Sequence, residues 1–256
     1  MVAQERSLCQ RGAPIVGGHA TITAASHPAD RRQDVFNGHV DMNILLLLAH
    51  PTPGSFNHAI AVQCRAALLS MGHRVQYHDL YAERFDPILP GEEVPKAAAV
   101  DNVIARHCRE LSEADGIVVV HPNWWGQPPA ILKGWIDRVV RPGVAYRFDE
   151  GDAGEGVPVG LLRARTAVVF NTGNTALARE VAAFGDPLER LWRDCIFGLC
   201  GVTDVRRRLF GVVVTSTLEK RAAWLTEAME IVTAAFPANA ASRGDTITGH
   251  YTGPVP

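Results

Sequence analysis

From Asn43 onward, hydrophobic positions fall into two alternating kinds of segment. Short continuous apolar runs occupy 44–49, 116–120 (Gly-Ile-Val-Val-Val), 167–170 (Ala-Val-Val-Phe) and 211–215 (Gly-Val-Val-Val-Thr), with a weaker one at 74–78. Continuous rather than alternating hydrophobicity means burial on both faces, the mark of parallel strands covered by helices on either side. The run at 74–78, Arg-Val-Gln-Tyr-His, is polar enough for an edge strand. Between the runs lie apolar stripes at helical spacing. Val100, Val103, Ile104 and Leu111 form one, within a helix expected at 99–114; Ile131, Leu132, Trp135, Ile136, Val139 and Val140 form a second; Leu188, Leu191, Trp192, Cys195, Ile196 and Leu199 form a third. Two more helices are expected at 57–71, closed by Gly72, and at 219–236, stopped by Pro237. The order βαβαβαβαβα with right-handed crossovers gives an open, doubly wound parallel α/β sheet, and five units are too few for an eight-fold barrel.

Residues 1–41 show neither a 3.6 nor a 2.0 period and are expected to form a poorly ordered N-terminal extension; 238–256 read as a loose C-terminal tail, leaving 42–237 as one domain. Because Met42-Asn43 directly precedes the first strand, Met42 is the expected functional start. The net charge of −2, from 25 Lys and Arg against 27 Asp and Glu, leaves no basic footprint for nucleic acid. The longest apolar run, Ile44 to Ala49, is far short of the ~20 residues of a membrane span. No apolar run of signal-peptide length precedes Asp41, and Cys9, Cys64, Cys108, Cys195 and Cys200 include no C-x-x-C, so neither a disulfide framework nor a metal site is expected. A reduced, cytoplasmic setting fits. Ile15-Val16-Gly17-Gly18 looks like the mature start of trypsin-like proteases, but the patterns carrying their serine, histidine and aspartate are missing, as is any G-x-S-x-G elbow.

In a doubly wound sheet the ligand lies beyond the carboxyl ends of the strands, so the loops after the first, third and fourth apolar runs carry the chemistry. The first, His50-Pro51-Thr52-Pro53-Gly54-Ser55-Phe56-Asn57, leads straight into a helix. Ser55 and Asn57 there either cap the helix or sit beside free N–H groups that favour a phosphate. No G-x-G-x-x-G and no Walker pattern occurs. The second loop, His121-Pro122-Asn123-Trp124-Trp125-Gly126, holds two adjacent tryptophans that either seek a flat partner or anchor the following helix. The third, Asn171-Thr172-Gly173-Asn174-Thr175, is polar and lets the backbone approach a ring edge. A phosphate at the first loop and a planar heterocycle between the other two describe half of a flavin mononucleotide.

Taken together, Leu46-Leu47-Leu48-Ala49-His50-Pro51 with Ser55-Phe56-Asn57, Asp79-Leu80-Tyr81, Phe85-Asp86-Pro87, Pro122-Asn123-Trp124-Trp125 and Pro129-Ala130-Ile131-Leu132-Lys133-Gly134-Trp135-Ile136-Asp137-Arg138-Val139 resemble the NAD(P)H:quinone oxidoreductases of the flavodoxin-like superfamily. The resemblance covers most of 43–236. It implies a flavodoxin-like sheet in the order 2-1-3-4-5, a non-covalent FAD or FMN, NAD(P)H as co-substrate, a quinone-like acceptor, and a homodimer with its active sites at the subunit interface. Carried over, His50, Ser55, Phe56 and Asn57 hold the flavin phosphate region. Pro122, Asn123, Trp124 and Trp125 line the ring, and Asn171, Thr172 and Gly173 face it from the third loop. Trp124 and Trp125 also border the acceptor pocket, with Tyr146 and Phe148 reaching it from the partner subunit.

The chain departs from the family in two ways. The usual Thr-Thr-Gly-Gly is Asn171-Thr172-Gly173-Asn174, and the positions of the Tyr and His relay of animal members fall near Ala178 and Phe184, so no general acid is assigned. The segment 149–163, rich in Gly, Asp and Glu, reads as a mobile lid over the site. The expected reaction is a ping-pong hydride relay through the flavin, with azo or nitro compounds as alternative acceptors. A flavoprotein regulatory subunit of a potassium efflux transporter is a rival reading; a flavodoxin-type electron carrier fits less well, for want of an acidic docking face. His107 is expected as a half-buried core residue and Arg206-Arg207-Arg208 as a solvated turn.

Overall fold

The computed structural model describes residues 42–149 and 156–238. The expected terminal tails and part of the expected lid lie outside them. The elements run β1 (Asn43–Leu48), α1 (Phe56–Ser70), β2 (Arg74–Asp79), α2 (Asn102–Glu113), β3 (Gly116–Pro122), α3 (Ala130–Val139), β4 (Tyr146–Arg147), β5 (Val159–Gly160), β6 (Thr166–Gly173), α4 (Leu177–Phe184), α5 (Pro187–Arg190), a π-helical segment (Leu191–Gly198), β7 (Asp204–Gly211) and α6 (Leu218–Ala235). Five parallel strands form one sheet in the order β2-β1-β3-β6-β7. The expected order 2-1-3-4-5 becomes 2-1-3-6-7 because two short strands intervene in the chain; β4 and β5 pair only with each other, as an antiparallel ribbon.

Side-chain alternation splits the apolar runs between two cores. Leu45, Leu47, Ile117, Val119, Ala167, Val169 and Val205 face α2, α3, α5 and the π-helical segment. Ile44, Leu46, Leu48, Val118, Val120, Val168, Phe170 and Phe210 face α1 and α6. The three central strands β1, β3 and β6 therefore bury both faces, as their continuous hydrophobicity requires.

The fifth strand lies seven residues earlier than the apolar run at 211–215, and Arg206-Arg207-Arg208 is its middle rather than a solvated turn. The signal misleads because Arg207 is buried with its charge met: its side chain is 4% exposed and bonds Asp186, Glu189 Oε2 at 2.8 Å and Asn171 Oδ1 at 2.8 Å. The α-helix expected through 188–199 winds instead as a π-helix from Leu191, so Trp192, Ile196 and Phe197 turn inward while Cys195 and Leu199 stay exposed. The longer turn of that winding displaces the 3.6-residue stripe. Val103 of the expected α2 stripe is half exposed, and His107 is fully rather than half buried.

Within the expected lid at 149–163, residues 159–162 are fastened to the body of the domain. Gly160 packs so closely on the backbone of Cys200 and Gly201 that a Cβ there would lie 2.3 Å from the Cys200 carbonyl carbon. The Leu161 amide donates to Ala145 O at 2.9 Å, the Leu162 amide donates to Cys200 O at 3.2 Å, and Leu162 is buried.

At the carboxyl end of the sheet, the columns of Val119, Val169 and Val205 continue into a polar layer of His121, Asn171 and Arg207. His121 is fully buried and donates from Nδ1 to Pro122 O at 2.8 Å; its Nε2 accepts from Asn171 Nδ2 at 2.8 Å and from Trp192 Nε1 at 3.0 Å. Burial pushes its pKa down to about 4.

Two outcomes follow for stability. A Cβ on Gly134 of α3 would sit 2.2 Å from Pro87 O, so Gly134→Ala is expected to lower the urea midpoint by the equivalent of about 1–3 kcal/mol with the slope unchanged. His121 titrates near 6.5 when unfolded and near 4 when folded. The unfolded chain therefore binds the extra proton between those values, and the stability present above pH 6.5 is lost as pH falls toward 4. The pH dependence of the urea midpoint is expected to be shallower in His121→Phe than in the native protein across that window; parallel curves would contradict the assignment.

Candidate functional site

The loops after β1, β3 and β6 enclose a cavity of about 420 Å³ at the carboxyl ends of the strands. Its first wall is the start of α1. Ser55 is the N-cap, in extended conformation, and its Oγ accepts from the His58 amide at 3.4 Å. The same hydroxyl donates to His58 Nδ1 at 2.8 Å, because His58 Nε2 donates to Asp79 Oδ2 at 3.1 Å. Helix capping is thus part of what Ser55 does. Beyond it, the Phe56 and Asn57 amides have no backbone or side-chain acceptor among the described residues, as the first turn of a helix dictates.

Asn57 is buried and its Nδ2 donates to Thr172 Oγ1 at 2.8 Å, tying α1 to the end of β6. Its Oδ1 is buried and without a partner among the described residues, which marks a position waiting for a donor. His50 completes this wall; its Nδ1 accepts from the Thr52 amide at 3.1 Å, its ring lies 6.2 Å from that of Trp124, and partial burial lowers its pKa.

The second wall is the β3–α3 loop. The Asn123 amide donates to Thr172 O at 2.7 Å, extending the β3–β6 ladder by one bond into the loops. The Asn123 side chain donates to buried Glu180 Oε1 at 2.9 Å and accepts from the Gly126 amide at 3.0 Å. Trp124 and Gln127 exchange backbone bonds across a tight turn whose central residues, Trp125 and Gly126, both have positive φ, 58° and 70°. That mirror-image turn sends the adjacent tryptophans apart. Trp124 lines the cavity at 42% exposure, while Trp125 is fully exposed and does not.

The third wall is Thr172 to Thr175 with Val213 and Val214. The Val213 amide donates to Gly173 O at 3.0 Å and the Val214 amide to Asn174 Oδ1 at 3.0 Å, so the two loops close as one rim.

The cavity therefore gathers His50, Ser55, Phe56, Asn57, Pro122, Asn123, Trp124, Thr172 and Gly173 of the sequence-expected set. Asn171 stands behind the wall in the polar layer, because its position in β6 points it into the sheet face shared with His121. Tyr146 and Phe148 lie outside this cavity, in and just after β4; their rings meet edge to face at 5.8 Å, and the Lys96 ammonium sits 5.2 Å over Phe148. Sequence reasoning missed Val213 and Val214, absorbed into a misplaced strand, and Glu180 and Arg207, whose charges hid their burial. A signal for Arg207 was available in the alternation Val205, Arg207, Leu209, which places it on a core-facing column.

Residues 42–232 match the family model described as flavodoxin-like fold. An uncharacterized NAD(P)H oxidoreductase of Haemophilus influenzae is 34% identical over 174 residues, 66% of this chain and 84% of that protein. The ribosyldihydronicotinamide dehydrogenase [quinone] of Rattus norvegicus is 30% identical over 170 residues, 58% of this chain and 71% of its own. The solved NAD(P)H:quinone oxidoreductase from Methanothermobacter marburgensis shares the fold, with a TM-score of 0.65 at 24% identity over 75% of this chain and 96% of its own. The chain belongs to the flavodoxin-like family and, within it, to the NAD(P)H:quinone oxidoreductases.

Proposed function

We propose that the cavity holds a flavin and that the protein carries a hydride from NAD(P)H through it to a quinone or similar small acceptor. The observation that carries this reading is the union, in one cavity, of a helix start with two free amides, an exposed tryptophan face and a buried acceptor without a partner, Asn57 Oδ1. Those three features fit the three parts of the group: an anionic phosphate, a flat ring and a polar ring edge that can donate. They serve the portion that FMN and FAD have in common.

When bound, the flavin supplies hydride acceptance and release, so the protein needs no metal or nucleophile for the reaction. The chain's own part is positional. The Phe56 and Asn57 amides and the dipole of α1 would bind the phosphate. Trp124 would cover the ring, and Thr172, Gly173 and Asn57 would meet its edge. His50, with its pKa lowered by burial, stays neutral at physiological pH and adds no fixed charge to the cavity. Tyr146 and Phe148, outside the cavity of their own chain, would wall the acceptor pocket of a second copy in a homodimer. No observation among the described residues favours the transporter-subunit alternative, and no helix there is long and apolar enough to cross a membrane.

The purified protein, reconstituted with FMN or FAD, is expected to show flavin absorption that bleaches with NADPH or NADH and returns on adding menadione. Failure to retain either flavin would overturn the proposal. Asn57→Leu is expected to lose flavin. In Trp124→Ala the flavin is kept while kcat/KM for the quinone falls by up to about tenfold, the equivalent of one aromatic stacking contact; unchanged turnover would remove Trp124 from the acceptor face.

A further inference from the structure

Between the edge strand β2 and helix α2, on residues that do not line the cavity, two imidazoles and two carboxylates meet. His78 Nδ1 lies 2.8 Å from Glu83 Oε1 and His78 Nε2 lies 2.7 Å from Glu110 Oε2. Both nitrogens face carboxylate oxygens, so both carry protons and the ring is a cation. His107 stacks on it with ring centroids 4.1 Å apart. The His107 ring is completely buried; its Nδ1 accepts from Trp135 Nε1 at 3.1 Å, which leaves the proton on Nε2. That Nε2 has no hydrogen-bond partner among the described residues, and Glu83 Oε2 is 3.7 Å away. One donor atom from each of His78, His107 and Glu110 lies within 4.8 Å of the others.

We propose that this cluster is a binding site for a divalent transition-metal cation of the zinc class, with His78 Nε2, His107 Nε2 and a Glu110 oxygen as ligands. Two imidazoles and one carboxylate are a donor set that such cations take, with a further position open to water. Glu83 then has the part of an outer carboxylate: it keeps the Nδ1 proton of His78 and so fixes the tautomer that presents Nε2 to the metal. The cation takes the place of the proton that His78 now shares with Glu110, turning a cluster of one imidazolium and two carboxylates into a neutral one.

Glu110 Oε2 already lies 2.7 Å from His78 Nε2, inside the ~3.3 Å edge of a tetrahedral site, so the approach still to be closed is that of His107; the Glu110 side chain, 19% exposed on α2, leaves a way in from solvent. The Arg106 charge acts on both His107 and Glu83 and opposes the cation from the same helix.

Coordination has one further consequence. With the metal on Nε2, the His107 proton moves to Nδ1, where it confronts the indole N–H of Trp135. The wild-type site therefore binds more weakly than its donor set allows, and removing the indole N–H should relieve the conflict. His78 and His107 stand 29 positions apart in the sequence, so no short motif announces the pair.

The test is a titration of the full-length, chelator-stripped protein with Co²⁺, followed by displacement with Zn²⁺. One saturable site with cobalt d–d absorption is expected, released by Zn²⁺. Glu110→Gln should weaken it about tenfold or more. Trp135→Phe should tighten it about threefold or more, an effect that simple damage to the core would not produce. Circular dichroism checks that both variants are folded. The proposal is overturned by the lack of a saturable site, by binding indifferent to Glu110→Gln, which would place the metal elsewhere on the chain, or by Trp135→Phe that binds no tighter.

Discussion

A guanidinium buried on one face of a β-sheet must be surrounded by acceptors, and meeting that demand at Arg207 arranges the polar layer behind the cavity. Asp186 and Glu189, at the cap and first turn of α5, neutralise it, while Asn171 takes a third bond. Asn171 thereby has its oxygen occupied and its amide turned toward His121, whose Nε2 also receives the indole of Trp192. The remaining imidazole proton goes to Pro122 O, at the mouth of the second loop. Each bond fixes the orientation of the next, so the chain from α5 to the cavity wall has one arrangement that satisfies every member. As a stabiliser such a network gives little over an apolar core of equal volume; what it supplies is a single geometry for the loops.

The same layer explains why the cavity lies where it does. Below it β1, β3 and β6 are apolar on both faces and buried; above it the Asn123–Thr172 bond joins the β3 loop to β6 and the Asn57–Thr172 bond ties the start of α1 to the same residue. The ladder of β3 and β6 thus ends in side chains that hold loops rather than in further strand. Trp124 is presented there by a turn with two positive-φ residues, a conformation maintained by the Gly126–Asn123 bond and by Glu180 beneath it.

Much of this was legible in the sequence. Three of the five main strands, β1, β3 and β6, could be read from continuous apolar runs buried on both faces, and β2 from a weaker, more polar run that suits an edge; the site loops followed from their carboxyl ends. The fifth strand was not, since three consecutive arginines carry the ordinary signature of a solvated turn and only tertiary neutralisation makes Arg207 a core residue. The π-helical segment was missed for a related reason: its stripe satisfies a 3.6-residue period, and the wider winding that brings Trp192 onto His121 appears only once the buried imidazole needs a donor. Most of the cavity wall was anticipated residue by residue. Trp125 and Asn171 were not separated from their neighbours, because adjacent loop residues point apart according to backbone angles that the sequence does not display.

A buried charge in β7 thus holds loops on the far side of β6. Hydrogen–deuterium exchange of Arg207→Lys tests it most directly, since lysine keeps the charge but cannot span three acceptors in one plane. Faster exchange is expected at the Asn123 and Gly126 amides of the second loop while β1 keeps its protection. Altered exchange confined to β7 and α5, with both loop amides as slow as in the native protein, would contradict it.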